Sequence, residues 1–209
     1  MRERTIYFLF TDTGTYLSKA INYCTKQSLN HVSIAFEPDL SEVYSFGRKR
    51  PKNPFIGGFV VEDIQSEFMK NSNCAIYSYT ITESECEAII QNIKEIEARK
   101  EMYRYNFIGL IGILLHIKIN RKNAYFCSQF VATILKDLEK FQLSKPPHFI
   151  TPADIRMHED MQLIYQGRLG DYQSSRIKKE RKLVIGEQTL PKQSFIFLLS
   201  SKVKRFVIR

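Results

Sequence analysis

Two runs, "HVSIAF" (31–36) and "EVYSF" (42–46), are separated only by "EPDLS". Both alternate in the period of two that strands require. A short link containing proline, aspartate and serine makes a hairpin turn, whereas a parallel crossover needs about a dozen residues or more. This part of the chain is therefore an antiparallel pair. Further strand-like runs are "TIYFLF" (5–10), "GFVVEDI" (58–64), "CAIYSYTI" (74–81) and "MQLIYQG" (161–167). Helices are predicted over 14–26 behind Asp12 and Thr13, and over 83–101 behind a Thr82/Glu85 capping box. Others are predicted through the apolar stretch 104–119, from Cys127 or Ser128 to Lys140, and from Thr151 with Pro152 in the first turn. Strands and helices mix without regular βαβ alternation, so the fold class is α+β.

Several function classes fall away. "TIYFLF" is too short for a signal-peptide core, and "FIGLIGILLHIKI" (107–119) is well under the roughly 20 residues of a membrane span. "GLIG" and "FIGG" lack the spacing and lysine of a phosphate loop. Residues 1–172 hold 21 Lys/Arg against 20 Asp/Glu, while 173–209 hold 10 against 2. The basic character thus belongs to a C-terminal extension, and a nucleic-acid partner is not expected for the body. The expected division is a domain over 1–172 and a basic, partly apolar extension over 173–209. "RIKKERK" and "SFIFLLSSKVKRFVIR" in that extension suit an anionic membrane surface, with a nucleic-acid contact as the rival and two extra strands with a basic outer face as the plainer alternative. The four cysteines (Cys24, Cys74, Cys86, Cys127) form no CxxC and fit free thiols of a reducing cytoplasm. Cys24 and His31, seven apart with no second ligand pair, do not make a zinc site, and no cofactor is expected.

Cys127 stands between a strand-like run and a helix in "NAYFCSQFVATILKDLEK" (123–140). A thiol in the first helical turn meets the positive end of the helix dipole and amides without intrahelical partners, and both favour the thiolate. Cys24 and Cys86 fall in helical stripes and Cys74 begins a strand, which suits packing. A cysteine nucleophile also needs a base. His116 lies in the apolar run, His148 in "KPPHF" and His158 among acidic residues. His31 opens a strand, sharing the face of Ser33 and Ala35, while Val32, Ile34 and Phe36 supply the core face. That small, polar face leaves room for an imidazole and a substrate.

"NHVSIAF" with "EVYSFGR", then "AYFCSQFVATIL" about a hundred positions later and "ITPADI" after it, resembles the circularly permuted branch of the NlpC-type papain-like superfamily, which is related to the lecithin retinol acyltransferase group. The resemblance covers roughly residues 4–172. It implies a small antiparallel sheet packed against a cysteine-bearing helix, with Cys127 as nucleophile and His31 as general base. It aligns Ser45 with the third catalytic position, where the family usually carries a carboxylate, an amide or a second histidine. Glu42 and Tyr44 fall on the opposite face by alternation. The implied chemistry is thiolate attack on an amide or ester of a peptide, cell-wall peptide or lipid-linked substrate. Tyr125 and Ser128 would line the substrate site beside the cysteine. Arg48 and Lys49, in "GRKRPKNPFIGG", would receive an acidic group. The alternative is a non-catalytic module that binds lipid or peptide on the same fold, with Ser45 marking a decayed triad.

Overall fold

The computed structural model describes residues 2–12, 27–48, 57–106, 121 and 123–177, with positions 19, 23 and 109. The expected helix 14–26 (with Cys24), Lys49 and most of its loop, most of 107–119 (with His116) and the extension beyond residue 177 lie outside the described residues. The chain divides into two units, Met1–Tyr172 and Gln173–Arg209. The candidate site lies wholly in the first.

Among the described residues six strands form one sheet. They are β1 (Glu3–Asp12), β2 (His31–Ala35), β3 (Val43–Arg48), β4 (Gly57–Val61), β5 (Asn73–Thr82) and, after two short strands described below, β8 (Gln162–Arg168), in the order β4-β3-β2-β1-β5-β8. Every neighbouring pair is antiparallel. The molecule is thus α+β, and the expected hairpin forms with Ala35 opposite Val43. β1 fills the centre because its residues are apolar on both faces. Ile6, Phe8 and Phe10 point one way and Leu9 the other, all with no exposed surface.

The two faces are covered differently. The short helix α1 (Glu67–Lys70) contributes Met69 to one face, where Leu9, Ala35, Val43, Cys74 and Ile76 pack with Leu169 and Tyr172. The other face meets α2 (Glu83–Ala98) and α3 (Cys127–Leu135) through Ile89, Ile93, Phe130, Val131 and Ile134. The Thr82/Glu85 capping box forms with both reciprocal hydrogen bonds. Ser33 and Ala35 are fully buried, so the face opposite the helices is not left open as the small side chains suggested. Among the described residues no helix is long and apolar enough to cross a membrane.

Two expectations change. The cysteine helix stops at Leu135 rather than Lys140. The chain turns there, with Leu138 N–H on Leu135 O, so that Leu138 and Phe141 both reach the core. Phe141 stacks on Phe8 and on His158, with centroids 6.1 and 4.3 Å apart. Continued helix would satisfy the periodicity but not both burials. The region expected as helix from residue 104 begins instead as β6 (Arg104–Tyr105), paired in parallel with β7 (Ala124–Tyr125). A Cβ on Gly57 would stand 2.5 Å from Gly47 O and 2.8 Å from Tyr105 Cβ. Glycine there lets β4 close against β3 and β6.

Candidate active site

β7 leads directly into α3. Asn123 turns the chain at φ 53, a conformation asparagine tolerates. After Tyr125 the buried Phe126 occupies the N-cap. Phenylalanine offers no side-chain hydrogen bond there, which costs about 1 kcal/mol against a serine or aspartate cap. The first-turn amides are thereby left for other acceptors. The Ser128 amide beside the Cys127 sulfur favours its ionised form.

The opposite wall comes from an opening in the sheet. β2 and β3 pair only through Ile34↔Tyr44 and Ala35↔Val43. Beyond those rungs the Ser45 hydroxyl bridges to Val32 O at 3.0 Å, and the Val32 amide, outside the β2–β3 rungs, favours an ionised Cys127 sulfur. Asn30 O lies 4.0 Å from the same sulfur and accepts from the thiol. His31, the first residue of its strand, therefore sits where the N-terminus of α3 arrives.

Three side-chain oxygens approach His31 Nε2. Glu62 Oε1 is 2.5 Å away, and the Ser33 and Ser45 hydroxyls are each at 3.4 Å. The serines are a small floor beneath the ring, and Ser45 spends its proton on Val32 O. Glu62 is the strong partner. It follows the last residue of β4 and is fixed by its N–H on Val43 O at 2.8 Å. Its side chain is only 10% exposed, and its second oxygen is buried with no protein partner. An Nε2–H directed at a carboxylate leaves Nδ1 to exchange a proton with the sulfur.

Electrostatics couples the three groups. Burial opposes a charged His31, but the Glu62 carboxylate, the Cys127 sulfur and their hydrogen bonds outweigh it, and the imidazole is held well above its ordinary value. Burial likewise opposes a Cys127 thiolate. The imidazolium charge and hydrogen bond, with the amides of Val32 and Ser128, overcome it and bring the thiol below its ordinary value. Cys74 goes the other way, pushed up by burial to about 12, and burial also raises Cys86. Opposite shifts on chemically identical groups single out Cys127 among the described cysteines as the thiol poised to ionise.

The fold thus brings Cys127 and His31 together, with Ser45 beside them. Glu62 is not among the residues the sequence points to, because the resemblance puts the third group on the strand after the histidine strand. Register gives the missing signal. Ser45 faces Val60 across β3 and β4, so Glu62, two residues further, shares the face of Ser45. Glu42 instead accepts from the Tyr44 hydroxyl at 2.5 Å, in an exposed pair. Ser128 is buried and donates to Ile150 O at 2.6 Å. Tyr125, half-buried, stacks on Tyr103 at 5.7 Å and meets Phe46 edge-on at 5.2 Å. Arg48 ends β3 opposite Gly57, and its side chain lies outside the description. Among the described residues no group of three or more His, Cys, Asp or Glu is placed to hold a metal ion.

Together these features define a class of site: a buried thiol followed by a part-buried imidazole and carboxylate in series at the end of an antiparallel α+β sheet. No family model and no curated protein sequence matches this chain.

Proposed function

We propose that the chain is a cysteine-dependent hydrolase or acyl transferase of the permuted papain-like type, cleaving an amide or ester through a thioester acyl-enzyme. The observation that carries this reading is geometric: Cys127 opens α3 beside His31, whose Nε2 lies 2.5 Å from the Glu62 carboxylate. Among the described cysteines the shifts agree, with Cys127 brought down and Cys74 and Cys86 raised by burial. His31 takes the thiol proton and the sulfur attacks the carbonyl carbon, forming the C–S bond. The resulting oxyanion is met by amides of the uncapped first turn of α3. Collapse breaks the C–N or C–O bond, and the leaving group departs with the proton from His31. Water or an acceptor hydroxyl or amine, deprotonated by His31, then attacks the thioester and regenerates the thiol. Glu62 keeps the ring oriented and stabilises its charge.

Peptide, cell-wall peptide and lipid-linked acyl groups all fit this chemistry. A reducing compartment such as the cytoplasm suits the free thiol, and the basic extension suits an anionic membrane surface. The test is acyl trapping with p-nitrophenyl esters, followed by peptide mass analysis. One acyl group is expected on the peptide carrying Cys127, and none in Cys127→Ala or His31→Ala. Acylation undiminished in His31→Ala refutes the mechanism.

A second reading, a non-catalytic module that binds lipid or peptide, draws on the burial of Cys127, which is 4% exposed. Alkylation of Cys127 no faster than that of Cys86 decides in its favour.

A further inference from the structure

The segment from Ile150 to Arg156 touches both halves of the candidate site. On the cysteine side it accepts the Ser128 hydroxyl at Ile150 O, 2.6 Å away, from the residue directly after Cys127. On the histidine side Arg156 donates from Nη1 to Ser28 O at 3.4 Å and from Nη2 to Gln27 Oε1 at 3.3 Å. Its guanidinium also lies 5.9 Å from the ring centroid of Phe10, which pairs with Val32 on β2. The segment itself is stiff. Its helix, α4 (Pro152–Arg156), starts with a Thr151/Asp154 capping box, Lys145 Nζ pairs with Asp154 at 2.7 Å, and Ile150 and Ile155 have no exposed surface.

Between the residues held by Arg156 and His31 stands Leu29, at φ 60. A leucine adopts that left-handed conformation at a cost, and it persists where neighbours hold the chain on both sides. Here one side is the β2 ladder and the other is Arg156. The next residue is Asn30, whose carbonyl faces the sulfur.

We propose that Ile150–Arg156 is a brace setting the separation of Cys127 from His31, with Arg156 as the positioning residue that holds the left-handed turn at Leu29. The inference takes its consequence for reactivity from the reading of Cys127 and His31 as a reacting pair. Its geometric content, that Arg156 fixes the imidazole against the sulfur, has its own readout.

The test compares full-length Arg156→Gln, Arg156→Lys and the double variant Arg156→Gln/Leu29→Gly with the native chain. His31 ring titration is followed by NMR and alkylation of Cys127 by mass spectrometry. In Arg156→Gln the His31 midpoint should fall and alkylation near pH 6 should slow about tenfold, the change that one unit of thiol ionisation produces. Arg156→Lys, which keeps the charge but not the fork, should fall between. Adding Leu29→Gly should return both readouts toward native, because glycine takes the left-handed conformation without strain. A lowered melting temperature with both profiles superposed on the native ones means that Arg156 serves stability only, and overturns the proposal. Native Cys127 that alkylates no faster than Cys86 refutes the enzymatic reading alone. An unchanged His31 midpoint in Arg156→Gln and Arg156→Lys refutes the brace.

Discussion

Glu62→Gln keeps the volume of the side chain and an acceptor oxygen near His31 Nε2, and removes one negative charge. In the native site that charge is 2.5 Å from the ring on a side chain 10% exposed. At an effective dielectric of about 20, unit charges about 4 Å apart attract by about 4 kcal/mol. Removing one partner of a buried pair costs about 3–5 kcal/mol when the survivor stays charged. The imidazole can instead shed its proton, so the loss should stop near the value of a charged hydrogen bond, about 2 kcal/mol. The sign with pH follows from His31 being held protonated to higher pH when folded than when unfolded. Its contribution is complete below the unfolded value, about 6.5, and is lost as pH rises through the folded value. Urea unfolding at pH 6 should therefore separate Glu62→Gln from native by about 2 kcal/mol, and the gap should narrow at alkaline pH. Alkylation of Cys127 at pH 6 should slow about thirty-fold, since about 1.4 kcal/mol is a factor of ten. An equal stability loss at both pH values would assign Glu62 to packing. An unchanged alkylation rate would remove it from the site.

Ser45→Ala should cost about 1 kcal/mol in urea unfolding through the lost bond to Val32 O, while leaving the His31 titration close to native; a shift as large as in Glu62→Gln would make the serine the orienting group. In a Cys24→Ser background, brief iodoacetamide treatment near pH 7 should modify Cys127 and spare Cys74, whose thiol burial pushes up to about 12, as read by peptide mapping; early modification of Cys74 would contradict the assigned thiol order. Phe130→Ala should destabilise by about 3–5 kcal/mol, because this fully buried ring contacts both Phe46 and Phe59; a loss under about 1 kcal/mol in urea unfolding would show that the sheet–helix contact is not packed as described.

What the sequence made legible was local. The hairpin linking β2 and β3, the Thr82 and Thr151 caps and a cysteine at a helix start each depend on residues within a few positions of one another, and local chemistry decides them. The C-terminal end of α3 was not local. Leu138 and Phe141 continue the helical stripe, but Phe8, Tyr79 and His158 draw Phe141 out of it. Glu62 was hidden for a related reason. A polar residue just after a strand usually points to water, and nothing beside it in "FVVEDI" marks it as buried. Two non-local facts put it on the histidine: the β3–β4 register, which gives it the face of Ser45, and the gap where β2 and β3 cease to pair.

That gap deserves the heavier weight, because it does two things at once. It makes room for the ring over two serines, and it frees the Val32 amide for the sulfur. A sheet zipped through to His31 would commit that amide to a neighbouring strand and deny the thiolate one of its two backbone donors. The uncapped turn after Phe126 makes the matching sacrifice on the helix. Strand and helix each leave a backbone amide unspent by regular structure, and both amides converge on Cys127. Two local departures from good hydrogen-bonding practice that meet at one sulfur are what a packing cysteine does not require and an ionised one does.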